Sequence, residues 1–554
     1  MTATITVPDV HPSAPTADRA AERWGVAAYL AAVTVLVVAV LVLLRGTFVY
    51  VLDDAAIHLS MADTLARHGT WGVTPGAFES ASSSPLWTVL VAAGLDVLPV
   101  ADAWVPLVLN VVAGVAVVVV LLRNQTVLRP GRARALDAAV VVVLVTLVLF
   151  LPGLAVVGME HTLHVALVLG AVVAVQRAAS GGERGVRLPG WLPYALLALA
   201  TLARFETAFV GLGLAAGLAC QGRLADGGWL HRRRQIAGVL AAVAVPVVLF
   251  ALGNVALGGG LLPNSLLAKG QGVGADKLSS GGIGPGQVIG RLGRDPLLLA
   301  LVAFALGYVV LTWGRAAPHL VTAVTLVVAA LLHATLADVG WFERYQAYLL
   351  AVGVYLVLGV IGELPADTRR RGVVALLVLA VLLTPTKALL LARAPQWSDD
   401  MYRHTYQAGR FLGRYYDGRP VATDQLGYIS LFHDGPVTDF AGLGDYEVLQ
   451  RIPDRSRTAA FRGELADERG FRVVVIPSTT AAFGVPDSWV LAGRFRIEGS
   501  YQGFSRGLDV WAAAPGGVTA LQDHLREFAR DLPAGVTIDL NGFAEMQAAA
   551  IRAS

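Results

Sequence analysis

Long apolar runs separated by short polar loops set the pattern of the first 392 residues. They lie near 25–44, 103–122, 137–151, 162–176, 190–203, 207–220, 236–253, 297–313, 318–337, 345–362 and 373–392. A run of roughly 20 apolar residues crosses the hydrocarbon core of a bilayer, so the pattern predicts about eleven transmembrane helices. The run 85–100 is short, contains Asp96 and follows a Ser-rich loop, and is expected to lie along the membrane or dip into it. Past Arg393 the pattern changes. A helix-like stretch, Asp399–Tyr416, is followed by short apolar runs near 420–424, 436–440, 471–477, 490–498 and 507–513. Such runs, set between polar turns, read as strands mixed with helices. The fold class expected is a polytopic α-helical membrane protein, residues 1–392, carrying a C-terminal α/β soluble domain, residues 393–554.

Composition sharpens this division. Hydrophobic residues make up 55% of the chain, more than soluble cores can hide. Charged residues number 37 of 162 from Arg393 onward and 46 of 392 before it, so only the tail approaches the charge density of a soluble domain. The net charge of +3 gives no reason to expect a nucleic-acid partner. A single cysteine, Cys220, excludes an internal disulfide framework. Residues 1–23 are polar and the first apolar run is long enough to span, so no cleavable signal is expected. If 85–100 does not cross, 17 of the 26 basic residues before Arg393 share the side of the N-terminus, and that side is cytoplasmic by the positive-inside rule. With only three lysines beside abundant Arg, Ala, Val and Gly, the usage suggests a GC-rich bacterial genome. The other side, extracytoplasmic if the membrane is a bacterial plasma membrane, then receives the loops 46–84, 152–161, 254–296 and 338–344, the turn 204–206 and the whole C-terminal domain.

Charges at span ends are expensive and mark function. Asp53 and Asp54, in YVLDDAAIHLSMADTLARH, repel each other at the end of the first run. One can act as general base on a hydroxyl while the other holds a metal or a sugar; alternatively, one of them caps the helix that follows, which also carries His58. Glu79 sits in a small polar loop, GAFESASSSPLW, where solvation is the plain reading. Glu160 opens a span within GMEHTLH; a His/Glu cluster can bind metal, but these histidines also suit an interface. Arg204 and Glu206 fall in a turn between two apolar runs, where a mutual ion pair would settle the turn. Lys269, in PNSLLAKG, either meets a lipid phosphate or snorkels. Arg344, in WFERYQAYL, is a second phosphate-clamp candidate, because guanidinium matches phosphate bidentately.

The order of these motifs, L-D-D-A-x-I-x-L, E-x-x-S-S-S-P-L-W, G-M-E, R-F-E, P-N-S-x-x-A-K and E-R-Y, resembles membrane glycosyltransferases of the GT-C superfamily. Along roughly 25–392 it is similar to the actinobacterial terminal β-(1→2) arabinofuranosyltransferases. The resemblance implies inverting transfer from a polyprenyl-phosphate sugar to a cell-envelope glycan acceptor at the outer face, among membrane lipids. By it, Asp53 and Asp54 supply the base. His58, Glu79, Glu160, Arg204, Glu206, Lys269 and Arg344 contact the donor's phosphate or sugar, and Asp54 would hold a divalent cation (Mg, Mn or Ca) if one is used. The chain departs from that family at Glu343-Arg344-Tyr345, so arabinofuranose is the favoured sugar while mannose and galactose stay open. A transporter or flippase of a lipid-linked glycan is the alternative; it would show repeats and a polar path to the cytoplasm, and no repeat is evident.

Overall fold

The computed structural model describes residues 15–124, 133–179, 189–224, 229–273, 284–315, 317–452, 458–481, 484–499 and 507–540. Four helices among them are long and apolar enough to cross a membrane, within Arg19–Leu43, Asp102–Arg123, His161–Ala179 and His231–Ala256. Three further spans arise if each of three bent pairs counts as one: Asp137–Val148 with Leu151–Val157 (46°), Gly286–Leu292 with Pro296–Leu311 (118°), and Ala366–Leu383 with Pro385–Tyr415 (57°). These helices make the chain membrane-embedded.

The expected eleven crossings are therefore not established by length and composition. The physical reason is local. Two apolar runs that read as single spans are broken, one by Phe150 in a left-handed conformation and one before Pro385, while the run 297–313 forms one helix of 16 residues, Pro296–Leu311, capped by Asp295. Others form only shorter helices, such as Leu192–Ala203, Leu320–Leu336 and Ala347–Glu363. The ambiguous run forms a 13-residue helix, Pro85–Val97, entered through a proline in its first turn. It buries Trp87 and Val91 against Leu59 and Ala62 of the helix Asp53–His68.

The tail holds one six-stranded sheet: β1 (Val421–Thr423), β2 (Val437–Asp439), β3 (Val473–Pro477), β4 (Val490–Ile497), β5 (Gly507–Ala512) and β6 (Val536–Asp539). Their order is β2-β1-β3-β5-β4-β6. β1 runs parallel to β2 and β3, and the remaining pairs are antiparallel. β3 and β5 are buried along their whole length, which is why they read as unbroken apolar runs. Five strands fall on the five expected runs, and β6 was not anticipated. The helix-like stretch from Asp399 is divided at His404, between Pro385–Arg403 and Thr405–Tyr415. The first of these helices passes through residue 393 without a break.

A carboxylate and arginine site beside the first helix pair

The helix Asp53–His68 starts directly after Leu52, whose backbone is extended and which offers no side-chain cap. Both aspartates lie in its first turn, where the helix dipole favours negative charge. Their surroundings differ. The Asp53 carboxylate accepts hydrogen bonds from the backbone N–H groups of Gly427 (2.8 Å) and Tyr428 (3.1 Å). Asp53 thus caps a helix, but the helix is Leu426–Phe432 of the tail rather than its own. Burial holds the Asp53 carboxyl above the usual carboxylate range, opposed by those two N–H donors. Asp54 is paired with Arg344, Oδ2 to Nη2 at 2.6 Å; its side chain is 38% exposed while that of Arg344 is 1% exposed. Asp54 is therefore the open member of the pair.

Arg344 also donates to the Met159 sulfur (2.8 Å) and to the Tyr345 hydroxyl (3.1 Å), and its buried Nε has no hydrogen-bond partner among the described residues. The Tyr345 ring meets two guanidiniums, 5.0 Å from that of Arg344 and 5.6 Å from that of Arg204. Arg204 ends the helix Leu192–Ala203 in an extended conformation, which turns its side chain toward Glu160 and Glu206, with ion pairs to both. It also lies 2.9 Å from Nε2 of His161. Thus the expected pairing of Arg204 with Glu206 is present, and Glu160 joins it.

One turn after Asp54, His58 closes the chain of contacts. Its Nε2 is 3.6 Å from Glu160 and its Nδ1 is 3.1 Å from the Ser82 hydroxyl. Burial holds the His58 imidazole below its ordinary range, opposed by the carboxylates of Glu160 and Asp54. Ser82 in turn accepts from the Ser84 backbone and the Thr88 hydroxyl, which fixes the Ser-rich loop against the site.

Six of the expected residues, Asp54, His58, Glu160, Arg204, Glu206 and Arg344, form one connected polar network. Asp53 adjoins it through the chain. Glu79 makes its described bonds within its own loop, accepting from the backbone N–H groups of Val73 (2.7 Å) and Thr74 (3.0 Å). Lys269 lies in the helix Asn264–Val273, and its side chain falls outside the described residues. Tyr345, Met159 and Ser82 were missed. Tyr345 and Met159 each directly follow or precede a residue that was singled out, and nothing in their own type marked them. Among the described residues no group of three or more His, Cys, Asp or Glu side chains is arranged to hold a metal ion. Asp54 meets a guanidinium instead, so this donor set does not fit a resident divalent cation.

Comparison with known proteins adds the following. The family model "Domain of unknown function (DUF8728)" matches residues 396–513, a stretch that contains β1 to β5. No curated protein matches. Among solved structures, ArnT from Cupriavidus metallidurans in the apo state is similar at 14% identity and a TM-score of 0.49, over 87% of this chain and 97% of that one. The same protein bound to undecaprenyl phosphate gives 13% and 0.49, over 88% and 98%. The archaeal oligosaccharyltransferase AglB from Archaeoglobus fulgidus, in complex with an inhibitory peptide and a dolichol-phosphate, gives 11% and 0.46, over 81% and 69%. Likeness at this level says nothing about substrate or chemistry.

Proposed function

We propose that this chain is a GT-C-type membrane glycosyltransferase that moves a sugar from a polyprenyl-phosphate donor to a cell-envelope glycan. The observation that carries this reading is the exposed carboxylate of Asp54 held 2.6 Å from a buried guanidinium, that of Arg344. Group transfer from a phosphate needs that pair: a base for the acceptor hydroxyl and a fixed cation for the phosphate that leaves.

In the reaction, Asp54 takes the acceptor O–H proton as the acceptor oxygen bonds to the anomeric carbon. The bond from that carbon to the phosphate oxygen breaks, and the electron pair leaves with the polyprenyl phosphate. Attack from the face opposite the phosphate inverts the anomeric centre. Arg344 stabilises the phosphate charge with its guanidinium. Arg204, Glu160, Glu206 and His58 line the sugar side. Glu79 orders the loop beside them, and Lys269 supplies a second cation for the phosphate. Asp53 holds the tail and orients its neighbour. We assign the acceptor to the outer face, on the sidedness of the basic loops and because a lipid-anchored donor serves a compartment that nucleotide sugars do not reach. Arabinofuranose is the favoured sugar, on the resemblance alone.

The test is transfer by the purified full-length protein in nanodiscs, supplied with polyprenyl-phosphate arabinose or mannose and a glycan acceptor. Asp54→Asn is expected to lower kcat by roughly 10²–10⁴, the usual worth of a placed general base. Full activity in that variant would overturn the assignment of the base. No transfer from any lipid-linked sugar would overturn the class.

A further inference from the structure

The loop that delivers Arg344 follows an unusual path. Gly340, Trp341, Phe342 and Glu343 all have positive φ, at 94°, 47°, 62° and 58°. L-residues avoid this left-handed conformation, in which Cβ crowds the following carbonyl oxygen. Three non-glycine residues in a row persist there only where the surroundings over-determine them.

The surroundings are a second buried polar cluster. The Gln346 amide clasps the turn from both ends: its oxygen accepts from the Gly340 N–H (2.9 Å) and its nitrogen donates to Glu343 (2.8 Å). The same nitrogen reaches Asp295 at 3.3 Å. Lys387 donates to Asp295 (2.8 Å) and to the Val148 carbonyl (3.1 Å), and lies 3.4 Å from Glu343. The side chains of Lys387 and Asp295 are each 2% exposed. Asp295 also caps the helix Pro296–Leu311 through the N–H groups of Leu297 and Leu298. Phe342 packs edge-on to Trp397 at 4.2 Å. Asp295 sits in the 118° bend and Lys387 just past the 57° bend, so two broken helices converge on the turn.

We propose that Lys387 and Gln346 are positioning residues for Arg344. Together with Asp295 they hold the left-handed turn that sets the guanidinium against Asp54, so the bend before the tail fixes the geometry of the site. Asp295, Gln346 and Lys387 touch none of the reacting groups and act through Arg344. The functional consequence rests on the reading of Arg344 as the phosphate anchor; the structural claim does not.

The experiment has two arms, both on the full-length protein in nanodiscs. The first is a double-mutant cycle in thermal stability between Lys387→Met and Arg344→Ala. Acting through Arg344, Lys387→Met costs less in the Arg344→Ala background than in wild type; additive losses overturn the proposal, since a purely structural lysine would be indifferent to Arg344. The second arm measures binding of undecaprenyl monophosphate. Lys387→Met and Gln346→Leu are each expected to weaken it about tenfold, to add nothing to Arg344→Ala, and to be partly rescued in Lys387→Arg. Unchanged affinity in folded variants likewise overturns the proposal. If Lys387→Met does not fold, Asp295→Asn/Lys387→Met removes both buried charges together and enters the same cycle. If wild type binds no polyprenyl phosphate, the reading of the site fails while the stability cycle still decides the positioning claim.

Discussion

Asp53 and Asp54 are adjacent in sequence and turned to different tasks, one bound by two backbone N–H groups, the other set against a guanidinium. The scarcity of charge in the membrane part made both aspartates visible, as it did Glu160, Arg204 and Arg344. It did not separate their roles, because the partners of Asp53 lie 374 and 375 positions away and no local spacing encodes them. Glu79 shows the same limit, since its bonds to Val73 and Thr74 belong to a loop whose course the sequence left open. Burial pushes the Glu79 carboxyl up to about 7, against the two N–H donors that favour its charged form. A carboxyl raised in the folded state contributes stability below its unfolded value, and that contribution is lost as pH rises through the folded value. Wild type should therefore lose thermal stability relative to Glu79→Gln between about pH 4.5 and 7, and hold a constant difference above. Melting both proteins across that range checks it; a pH-independent difference would show that the loop does not bury the carboxyl.

At the scale of elements, the apolar runs located the long helices before the tail but not their breaks, because a break depends on a capping side chain or a left-handed residue more than on hydropathy, and shorter helices such as Pro285–Leu292 and Ala459–Arg469 fell on no run. The helix pairing was likewise hidden in residue size. Gly213 and Gly217, one turn apart on Thr207–Leu224, face the backbone of Leu320–Leu336. A Cβ on Gly213 would lie 2.8 Å from the Thr325 Cα, and one on Gly217 would lie 2.8 Å from the Val321 carbonyl oxygen. Small residues that admit a neighbouring backbone are what holds membrane helices together when lipid is as apolar as leucine. The neighbour here is main chain, which cannot swing aside as a side chain would. Gly213→Val and Gly217→Val should each destabilise the protein by about 1–3 kcal/mol, the range of overpacking. Gly307, where an added Cβ meets nothing within 4 Å, is the control and should tolerate the same change. Detergent-resistance melts of the three variants decide the matter, and equal stability would refute the close approach.

For the whole molecule, the tail is built into the site rather than suspended beside it. Five strands were legible as short apolar runs, but their order and the docking of the tail on the first loop were not, since both are set by contacts between distant segments. Tyr50 donates its backbone N–H to the Tyr428 hydroxyl (3.0 Å), while its own hydroxyl donates to the Ala103 carbonyl and accepts from the Leu107 N–H. Next to it, Asp53 caps Leu426–Phe432. This contact is so close that a Cβ on Gly427 would lie 2.1 Å from the Asp53 carbonyl oxygen and 2.7 Å from its Cγ, so only glycine fits. Gly427→Val should therefore separate the tail from the first loop without touching Asp54. The expected result is faster limited proteolysis in the tail, a lower melting temperature, and a fall in kcat as the helix that carries Asp54 loses its anchor. Asp53→Ala removes the cap alone and should produce a milder version, about 1–2 kcal/mol by the usual worth of a capping carboxylate. The two effects share one contact, so the double variant should be no worse than Gly427→Val by itself. A Gly427→Val protein with wild-type proteolysis and melting would mean that the tail and the first loop are not joined at this contact.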